Sequence, residues 1–411
     1  MKKEYESNGY KAGRSNVNKI LYVTITLSNG WEGGEPIVAK KTIKSLEKIG
    51  YTVTKAFYKS KLGGLFTGVT VLLRSYFCTS DSFLFSYKYY KRIIKRENPD
   101  VIIAQYDYDN SVVKAAVKQR KKIIVYVHMW WPTCPKITLF THNGQVCRGY
   151  TGNDCKTCIL SEIKPKSIVD KGYKTFLSFL TTNSRINKKM KNKIDLLNKE
   201  NVIVAVLSPY MRDYFIRNGI SQDKIKIVPN SVSCKEFSPS SAPRERLVGY
   251  YGGENILKGY GIFFRIAEII KKTYPDFRFV ATGEFKIKTP YVDFVGTLDR
   301  KELSQLMAKS RCTVIPSIWD EPFPAVTLES MAGGTPVVTF DVGFLKSIIQ
   351  NGVSGFIVPL MAIDEMVVKI IKIITDDELF TKLSKNGRRI ACEEFTEDKR
   401  ITLIKQMIET S

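Results

Sequence analysis

The feature that most constrains the fold is an alternation of short apolar runs with amphipathic stretches, repeated in both halves of the chain. KILYVTITL at 19–27 reads as a buried strand, and the helical period of IVAKKTIKSLEKIG follows it after a glycine loop at 29–36. The same rhythm restarts after residue 245 with RLVGYYGG and a helical stretch at about 260–272. Buried strands that alternate with helices are typical of parallel, doubly wound sheets. The sequence therefore predicts an α/β protein with two such sheets.

Chain length and a linker-like stretch predict where the two units divide. A chain of 411 residues is too long for one typical domain and long enough for two of about 200 residues. VPNSVSCKEFSPSSAPRER at 228–246 is rich in Ser and Pro and is the predicted linker. We expect four parts: a polar tail at 1–18, a first Rossmann-like domain at 19–230, a second at 231–390, and a C-terminal helix at 391–411 that returns to the first domain.

Nearly all of the net charge of +24 lies in the first half of the chain. Residues 1–230 carry 40 Lys and Arg against 17 Asp and Glu, whereas residues 231–411 carry 24 against 23. A solvated basic surface in a Lys-rich genome is one explanation. An anionic partner of the first half is the other: a membrane surface, a phosphate-bearing substrate or nucleic acid. No apolar run approaches the roughly 18–20 residues of a transmembrane helix, and the polar N-terminus does not resemble a signal peptide, so the cytoplasm is the expected compartment.

The segment DEPFPAVTLESMAGGTPVV at 320–338 has one carboxylate before a helix start and one inside the helix. Glu321 precedes a proline-rich turn that ends in Pro324, the predicted first residue of the helix, and Glu329 follows about one turn later. Free backbone N–H groups at a helix start suit an anion such as a diphosphate. These groups are those of Phe323, Ala325 and Val326. The two carboxylates suit the paired hydroxyls of two sugars; a helix-capping Glu321 and a solvated Glu329 are the alternatives.

An ordered set of motifs resembles the retaining glycosyltransferases of family 4, which have the GT-B fold of two Rossmann-like domains facing a cleft. The eight-residue spacing of Glu321 and Glu329 resembles the E-x7-E signature of that family, and the resemblance covers roughly residues 19–400. Further landmarks are GISQDKIKIVPNSVS (219–233), LKGYGIFFRIAEI (257–269), FVGTL (294–298) and NGVSGFIVP (351–359). The resemblance implies transfer of a sugar from a nucleoside-diphosphate sugar, with no cofactor or metal ion needed for catalysis.

The resemblance also implies roles for single residues. Glu321 matches the glutamate that contacts the donor sugar and stabilises charge in the transition state, and Glu329 matches the one that binds the ribose hydroxyls. Lys258 matches the lysine that neutralises the donor diphosphate. His128, at the end of KIIVYVH, matches a histidine near the reacting sugar. The remaining matches are the loop over the phosphates, Gly33 and Gly34, and the backbone of the base pocket, Thr297 and Leu298.

Two positions depart from the family pattern. Gly253 stands five residues before the lysine, where the family often has an arginine, and Ser347 stands where many members have a glutamate. Because the arginine would be one partner of the donor phosphates, its absence leaves the identity of the donor less well defined by the sequence than the reaction class. Asp107 and Asp109 imitate the D-x-D metal motif of the other large glycosyltransferase fold. A polar loop after the strand VIIAQY explains them better.

The cysteines divide into a cluster and four scattered residues. The cluster lies in a glycine-rich segment of the region 128–160 and spans 25 positions. Its members are Cys134, Cys147, Cys155 and Cys158. Four thiols at this spacing suit a tetrahedral structural zinc ion, and free thiols, disulfides, another metal or an iron–sulfur cluster remain alternatives. A subset of the resembling family carries a similar insertion. His142 lies in the same segment, and a structural role is favoured for it. The scattered cysteines, expected to be ordinary buried thiols, are Cys78, Cys234, Cys312 and Cys392.

Two stretches of the basic half, 72–96 and 164–193, mix apolar residues at helical period with dense lysines. Each is either a helix lying on anionic lipid headgroups or an ordinary helix packed on the first sheet. In the resembling enzymes the N-terminal domain binds the acceptor. The expected partners are therefore a nucleoside-diphosphate sugar, a glycan or lipid-phosphate-linked acceptor, and an anionic membrane surface. The protein is expected to bind peripherally to the inner face of that membrane.

Two other classes of function remain as alternatives. A nucleic-acid-binding protein with a cysteine finger would use the basic half and would need neither Glu321 nor Glu329. Another GT-B-fold enzyme, such as a sugar-nucleotide epimerase or a phosphorylase, would share the donor site. The ordered donor-site motifs favour sugar transfer over both, and nucleic acid is the less expected partner.

Overall fold

The structure is a computed structural model, and it describes residues 17–25, 34–58, 84–105, 110–150, 154–161, 181–240 and 242–410, with residues 172, 175 and 178. Several predicted features lie outside the described residues: most of the 1–18 tail, Gly33, Cys78, Asp107 and Asp109.

The first domain is built on a six-stranded parallel sheet. Its strands are β1 (Lys19–Ile25), β2 (Thr52–Tyr58), β3 (Val101–Ala104), β4 (Lys122–Val127), β5 (Val202–Val206) and β6 (Ile225–Ile227). Their order in the sheet is β2-β1-β3-β4-β5-β6, and all pairs are parallel. The helices described for this half are α1 (Gly34–Lys48), α2 (Leu84–Glu97), α3 (Ser111–Lys118), α4 (Cys155–Ser161), α5 (Asn183–Leu197) and α6 (Pro209–Arg217).

The second domain repeats the architecture. Its strands are β7 (Glu245–Tyr250), β8 (Arg278–Ala281), β9 (Asp293–Phe294), β10 (Ser310–Ile315), β11 (Val337–Phe340) and β12 (Gly355–Val358), in the order β12-β11-β10-β7-β8-β9. Its helices are α7 (Tyr260–Thr273), α8 (Arg300–Lys309), α9 (Ala325–Ala332), α10 (Leu345–Ile348), α11 (Ile363–Thr375) and α12 (Asp377–Glu394), and the last helix of the chain is α13 (Glu397–Glu409).

Burial on both faces explains why these strands are continuous apolar runs. Every residue of β3 (VIIA) and of β11 (VVTF) is buried. Parallel sheets reach this state because each crossover helix returns over one face of the sheet. The predicted α/β class with two doubly wound, Rossmann-like domains is confirmed. The carboxyl ends of the strands, where open sheets of this kind bind ligands, are therefore the edges at which to look for a site.

The chain crosses between the domains through two segments that lie side by side. The linker residue Val232 donates its N–H to Phe395 O at 2.9 Å. After this point α13 packs Ile404 and Met407 into the same core cluster as Tyr22 of the first sheet. The last helix therefore rests on the first domain although it follows the second.

One cysteine prediction is wrong. Cys234 and Cys392, expected to be separate buried thiols, form a disulfide across the two crossing segments, with their Cα atoms 5.9 Å apart. They are 158 positions apart in sequence, so their spacing does not reveal that the linker and the end of α12 are neighbours. Cys312 is a buried free thiol.

Within the described residues, no helix is both long and apolar enough to cross a bilayer.

Candidate functional site

Backbone contacts fix Lys258 beside the end of β10. Ile318 donates its N–H to Leu257 O at 2.9 Å, which ties the turn before α7 to the segment after β10. Gly259 has φ 76°, and a Cβ there would lie 1.9 Å from Pro316 O, so only glycine permits this approach. The half-buried Lys258 therefore lies at the carboxyl edge of the second sheet, close to the segment that carries both glutamates.

Glu321 is buried and held by its neighbours. Its Oε1 accepts a hydrogen bond from Ser317 Oγ at 2.9 Å, and its backbone O accepts one from Phe344 N at 3.2 Å. Gly343, with φ 53°, lies against this backbone so closely that a Cβ would be 2.3 Å from Glu321 O. The position of the carboxylate is thus determined by the loop that follows β11 as well as by its own segment.

Asp320 joins the two domains immediately before Glu321, and the sequence reasoning assigned it no role. Its backbone O accepts from Trp130 Nε1 at 2.9 Å, and its Oδ2 accepts from Tyr210 Oη at 2.5 Å. Both donors belong to the first domain, while Gly343 N of the second domain donates to Asp320 Oδ1 at 3.1 Å. Burial and the Asp320 carboxylate raise the pKa of Tyr210, so its hydroxyl stays protonated and donates. No local pattern in the sequence could have indicated a contact between residues 190 positions apart.

Glu329 is buried in α9 and forms an ion pair with a residue that the sequence analysis also missed. Arg300 Nη1 lies 3.1 Å from Glu329 Oε1. The same guanidinium binds both oxygens of Glu236 in the linker, with Nη2 3.0 Å from Oε2, and lies 5.0 Å from the centre of the Phe237 ring. Burial raises the pKa of Glu329, and the charge of Arg300 opposes that rise. A signal was available, since Arg300 directly follows the FVGTL landmark and the helix cap Asp299.

The start of α9 differs slightly from its prediction. Pro324 is the N-cap rather than the first helical residue, and it makes no side-chain capping bond. Ala325 and Val326 are the first two residues of the helix and are half-buried. Phe323 is buried, with its ring centre 5.2 Å from that of Phe344. These residues place a helix N-terminus between the two glutamates, as the sequence predicts.

The wall predicted for the base pocket follows β9. Thr297 is exposed and Leu298 half-buried, in the short connection to α8. Gly283 donates its N–H to Gly296 O at 2.7 Å, which ties this connection to the end of β8. The family's arginine position, Gly253, has φ 65° and lies so close to Gly283 that a Cβ on Gly283 would be 2.9 Å from Gly253 Cα. A tight glycine turn thus occupies that position.

His128 lies at the end of β4 in the first domain. It is buried, its Nε2 has no hydrogen-bond partner among the described residues, and its ring stacks on Tyr126 with ring centres 5.8 Å apart. Burial, with a further contribution from Arg400, lowers the pKa of His128 to about 3. The imidazole is therefore neutral at pH 7. Two residues later Trp130 contacts Asp320, so this strand end reaches the segment that carries the first glutamate. Gly34, of the predicted phosphate loop, is the first residue of α1.

The four clustered cysteines are neighbours in the structure. Burial, with smaller contributions from the nearby thiols of Cys134, Cys147 and Cys158, raises the pKa of Cys155 to about 12. Cys134 is also buried, and burial raises its pKa to about 11. Across the described residues, no group of three or more His, Cys, Asp or Glu side chains has an arrangement that could hold a metal ion. The thiols thus converge without forming a set of ligands.

A cavity of about 970 Å³ opens between the linker and α8. Its lining includes Glu236, Ser238, Asp299 and Arg300, but neither Lys258 nor Glu321. It meets the candidate site only at Arg300, which binds Glu329. The chemistry-bearing groups at the strand ends, and not this cavity, define the candidate site.

Two family models match consecutive parts of the chain. The model described as Glycosyltransferase Family 4 matches residues 60–236, and the model described as Glycosyl transferases group 1 matches residues 235–390. The boundary between them falls in the linker.

Among curated relatives, the chain is similar to the UDP-Gal:alpha-D-GlcNAc-diphosphoundecaprenol alpha-1,3-galactosyltransferase of Escherichia coli, with 24% identity over 45% of this chain and 54% of the relative. An uncharacterized 41.2 kDa protein of the cps region of Klebsiella pneumoniae is 25% identical over 54% of this chain and 64% of the relative. The chain thus spans about half to two thirds of these relatives.

Among solved structures, the fold is similar to that of the sucrose-phosphate synthase from Thermosynechococcus elongatus, with a TM-score of 0.67, 17% identity, and coverage of 95% of this chain and 98% of that one. The HepE protein of Anabaena in complex with UDP and glucose gives a TM-score of 0.65 at 16% identity, over 96% of this chain and all of the other.

The two parallel six-stranded domains with polar residues at their strand ends have the GT-B fold, and they are similar to glycosyltransferases of that fold, whose models match residues 60–390. The family 4 model matches the first domain and the group 1 model matches the second.

Proposed function

We propose that the protein is a retaining glycosyltransferase that moves a sugar from a nucleoside-diphosphate sugar to a glycan or lipid-linked acceptor, with no metal ion in the transfer step. The observation that carries the proposal is that one cation and two carboxylates belong to neighbouring segments at the carboxyl edge of the second sheet. Backbone contacts bring Lys258 to the segment of Glu321, and Glu329 follows on the same segment. This domain is the one that the group 1 model matches.

Each group has a part suited to its chemistry. The ammonium of Lys258 and the N–H groups at the start of α9 neutralise the diphosphate that leaves. The Glu321 carboxylate stabilises the positive charge that develops on the donor sugar, and Glu329 accepts hydrogen bonds from the ribose hydroxyls. His128, neutral at pH 7, serves as a hydrogen-bonding partner of the reacting sugar and not as a proton donor. The remaining proposed contacts are those of Gly33 and Gly34 with the phosphates and of Thr297 and Leu298 with the base.

The charge of the first half supports an anionic acceptor. The excess of 23 positive charges in residues 1–230 is not shared by the second half. The name of the E. coli relative describes an acceptor that carries a diphosphate on a polyprenol. A lipid-phosphate-linked acceptor would present both an anionic group to the first domain and a membrane surface beside it.

Nucleotide binding tests the donor site directly. We expect one of UDP, GDP and ADP to bind the wild-type protein in titration calorimetry, and Lys258→Ala and Glu329→Ala to weaken that nucleotide at least about tenfold, since each removes a charged partner. Glu321→Gln keeps the shape of the side chain and removes its charge. It should slow donor hydrolysis about 100-fold with nearly unchanged nucleotide affinity and melting temperature.

The matched control is Lys272→Ala, because this exposed lysine of the same domain pairs only with Glu268 on α7 in the described structure. It should bind the nucleotide as wild type does. Wild-type affinity in both Lys258→Ala and Glu329→Ala would place the nucleotide elsewhere, and full turnover in Glu321→Gln would remove Glu321 from the reaction.

A further inference from the structure

Glu329 is one member of a chain of charges that crosses from the first domain to the second. Lys41 of α1 lies 3.1 Å from Glu236 Oε2 in the linker, and Arg300 of α8 binds the same carboxylate. Arg300 then reaches Glu329 Oε1 through Nη1 at 3.1 Å. Because the guanidinium is planar and carries five N–H donors, it can hold two carboxylates at once, which an ammonium cannot do with the same geometry.

The pairing uses only one oxygen of Glu329. Among the described residues, Glu329 Oε2 accepts no hydrogen bond. It is also not one of the fully buried polar atoms without a partner, so it is accessible. A carboxylate oxygen has two lone pairs, so Oε2 remains able to accept hydrogen bonds from two neighbouring hydroxyls. Arg300 is itself held from the opposite side by Glu236 and stacks on the Phe237 ring. Its fixed position in turn fixes the Glu329 side chain.

We propose that Arg300 is a positioning residue of the nucleotide site: it holds the Glu329 side chain through Oε1 and leaves Oε2 to accept the ribose hydroxyls. The inference rests on the proposed function, because it names the support of the residue proposed to bind the ribose. Arg300 is the first residue of α8 and follows the helix cap Asp299, which comes directly after the FVGTL connection that would line the base. One short connection thus serves both the base and, through Arg300, the ribose.

Burial makes this support necessary. Glu329 is buried, and burial raises its pKa, whereas Arg300 lowers it. The other charged groups that act on Glu329 are Glu236 of the linker, which raises the pKa, and Lys41 of α1, which lowers it. Without Arg300 the pKa of Glu329 would rise further, so Glu329 would take up a proton at a higher pH. A protonated carboxyl accepts the ribose hydroxyls less well, and nucleotide affinity would then fall as the pH is lowered.

The test measures the dissociation constant of whichever of UDP, GDP and ADP binds the wild-type protein most tightly, at pH values from 5 to 8. We expect Arg300→Gln to weaken that nucleotide about tenfold at pH 6 and less at pH 8, and to move the acidic limb of the affinity profile to higher pH. Arg300→Lys keeps a positive charge and should lie between wild type and Arg300→Gln. Arg246→Gln, which removes an exposed arginine paired with Asp276 in the same domain, should match wild type.

A double-mutant cycle separates positioning from a general structural effect. In a Glu329→Ala background, Arg300→Gln should cause no further loss of affinity. Equal losses in both backgrounds, or pH profiles of the same shape in wild type and Arg300→Gln, would overturn the inference. If Arg300→Gln does not fold, as judged by its melting curve, Arg300→Lys takes its place in the cycle and is held to the same outcomes.

The two proposals fail in different ways. No nucleotide binding by the wild type, or wild-type affinity in both Lys258→Ala and Glu329→Ala, would overturn the proposed donor site and this inference with it. Wild-type affinity in Glu329→Ala together with a loss in Lys258→Ala would overturn the inference alone. Loss of affinity in Glu329→Ala but not in the Arg300 variants would overturn the inference alone.

Discussion

At the scale of single residues, the polar groups of the site differ in how they are satisfied. Asp320 accepts from both domains, and Glu321 accepts from Ser317. His128 Nε2, in contrast, is buried without a partner in the described structure. Buried polar atoms nearly always have a hydrogen-bond partner, so an open nitrogen beside a candidate site suits a substrate group. Burial also lowers the pKa of His128, and this makes the stability of the protein depend on pH.

We expect His128→Gln to reduce the loss of stability between pH 7 and pH 5. The pKa of His128 is lowered to about 3 in the folded protein, against about 6.5 in an unfolded chain. As the pH falls below about 6.5, the unfolded chain binds a proton that the folded protein does not, so stability present above that pH is lost by up to about 1.4 kcal/mol per pH unit. Urea unfolding should show that wild type loses about 2 kcal/mol more than His128→Gln.

The comparison is between two pH differences, so the general cost of the substitution cancels. Equal losses of stability in the two proteins would mean that His128 is accessible to protons in the folded state. That result would also weaken its proposed role as a neutral hydrogen-bonding partner.

At the scale of elements, the segment from β4 to α4 has two features that meet. Trp130 projects from it to Asp320 of the second domain, and its four cysteines converge in space. Cys134 N donates to Trp130 O at 2.8 Å, so the first cysteine and the domain contact belong to one turn. An interaction that fixes the position of Cys134 therefore also fixes the turn that carries the Trp130 ring.

A structural metal ion, most simply zinc, stays a prediction for this element: its four thiols lie close together, but in this structure they are not arranged as a set of ligands. Thiolates prefer zinc, and metal binding would lower the thiol pKa values that burial raises. Protein purified without chelator should contain about one equivalent of zinc by elemental analysis, and Cys155→Ser should lose it and melt at a lower temperature. Cys312→Ser, which removes a buried thiol of the second domain, is the control and should keep the metal. Metal-free protein with full activity would support free thiols instead.

At the scale of the whole molecule, the first domain contacts the second beside its proposed catalytic carboxylate. Trp130 Nε1 and Tyr210 Oη both reach Asp320, and the disulfide Cys234–Cys392 joins the two crossing segments. The charged residues proposed to bind the nucleotide, Lys258 and Glu329, both belong to the second domain. Contacts across the domains should therefore affect transfer more than nucleotide affinity.

Trp130→Phe replaces the indole by a smaller aromatic ring and removes the indole N–H. The phenyl ring can still pack against Tyr214 and Phe215, whose ring centres lie 5.0 and 5.8 Å from that of Trp130. Loss of one buried hydrogen bond corresponds to about 1 kcal/mol. We expect donor hydrolysis to slow about fivefold with nucleotide affinity changed less than about twofold. A parallel loss of rate and affinity would show that the contact supports the donor site and not the domain arrangement.

The basic surface of the first domain leads to a prediction about membranes. Of the stretch 72–96, the structure describes helix α2, which buries Tyr90, Ile93 and Ile94 and exposes its cations. Its apolar face is therefore buried in the core, where the helix packs against α3, and only an electrostatic attachment is open to this helix. Of the stretch 164–193, helix α5 is described, and most of the remainder lies outside the described residues.

The protein should sediment with vesicles that contain anionic lipid at low salt and be released at high salt. Each cation near the surface contributes about 1 kcal/mol, so Lys88→Glu/Lys91→Glu/Lys95→Glu should abolish most of the binding. The matched control is the same charge reversal at three exposed lysines of the second domain, Lys301, Lys382 and Lys385. It should reduce vesicle binding less. Equal, negligible binding to neutral and anionic vesicles would leave a soluble phosphorylated or nucleic-acid partner as the explanation of the charge.

The sequence by itself determined the features that depend on local pattern. Alternation of apolar runs and helical stretches predicted two parallel sheets, because burial on both faces is recorded in the composition of each strand. Pro324 predicted a helix start between Glu321 and Glu329, because the missing N–H of proline costs nothing in the first turn of a helix. The position of Lys258 near that segment followed from the family resemblance and from the rule that strand ends converge.

Only the tertiary structure decided which distant groups meet. Arg300 binds Glu329 from another helix, Trp130 reaches Asp320 across 190 positions, and Cys234 pairs with Cys392 across 158. Apolar periodicity records which face of an element is buried, but it does not record which polar side chain lies opposite. A hydrogen bond or ion pair forms only within about 3 to 4 Å, so it depends on how whole elements pack, and no local stretch of sequence contains that information.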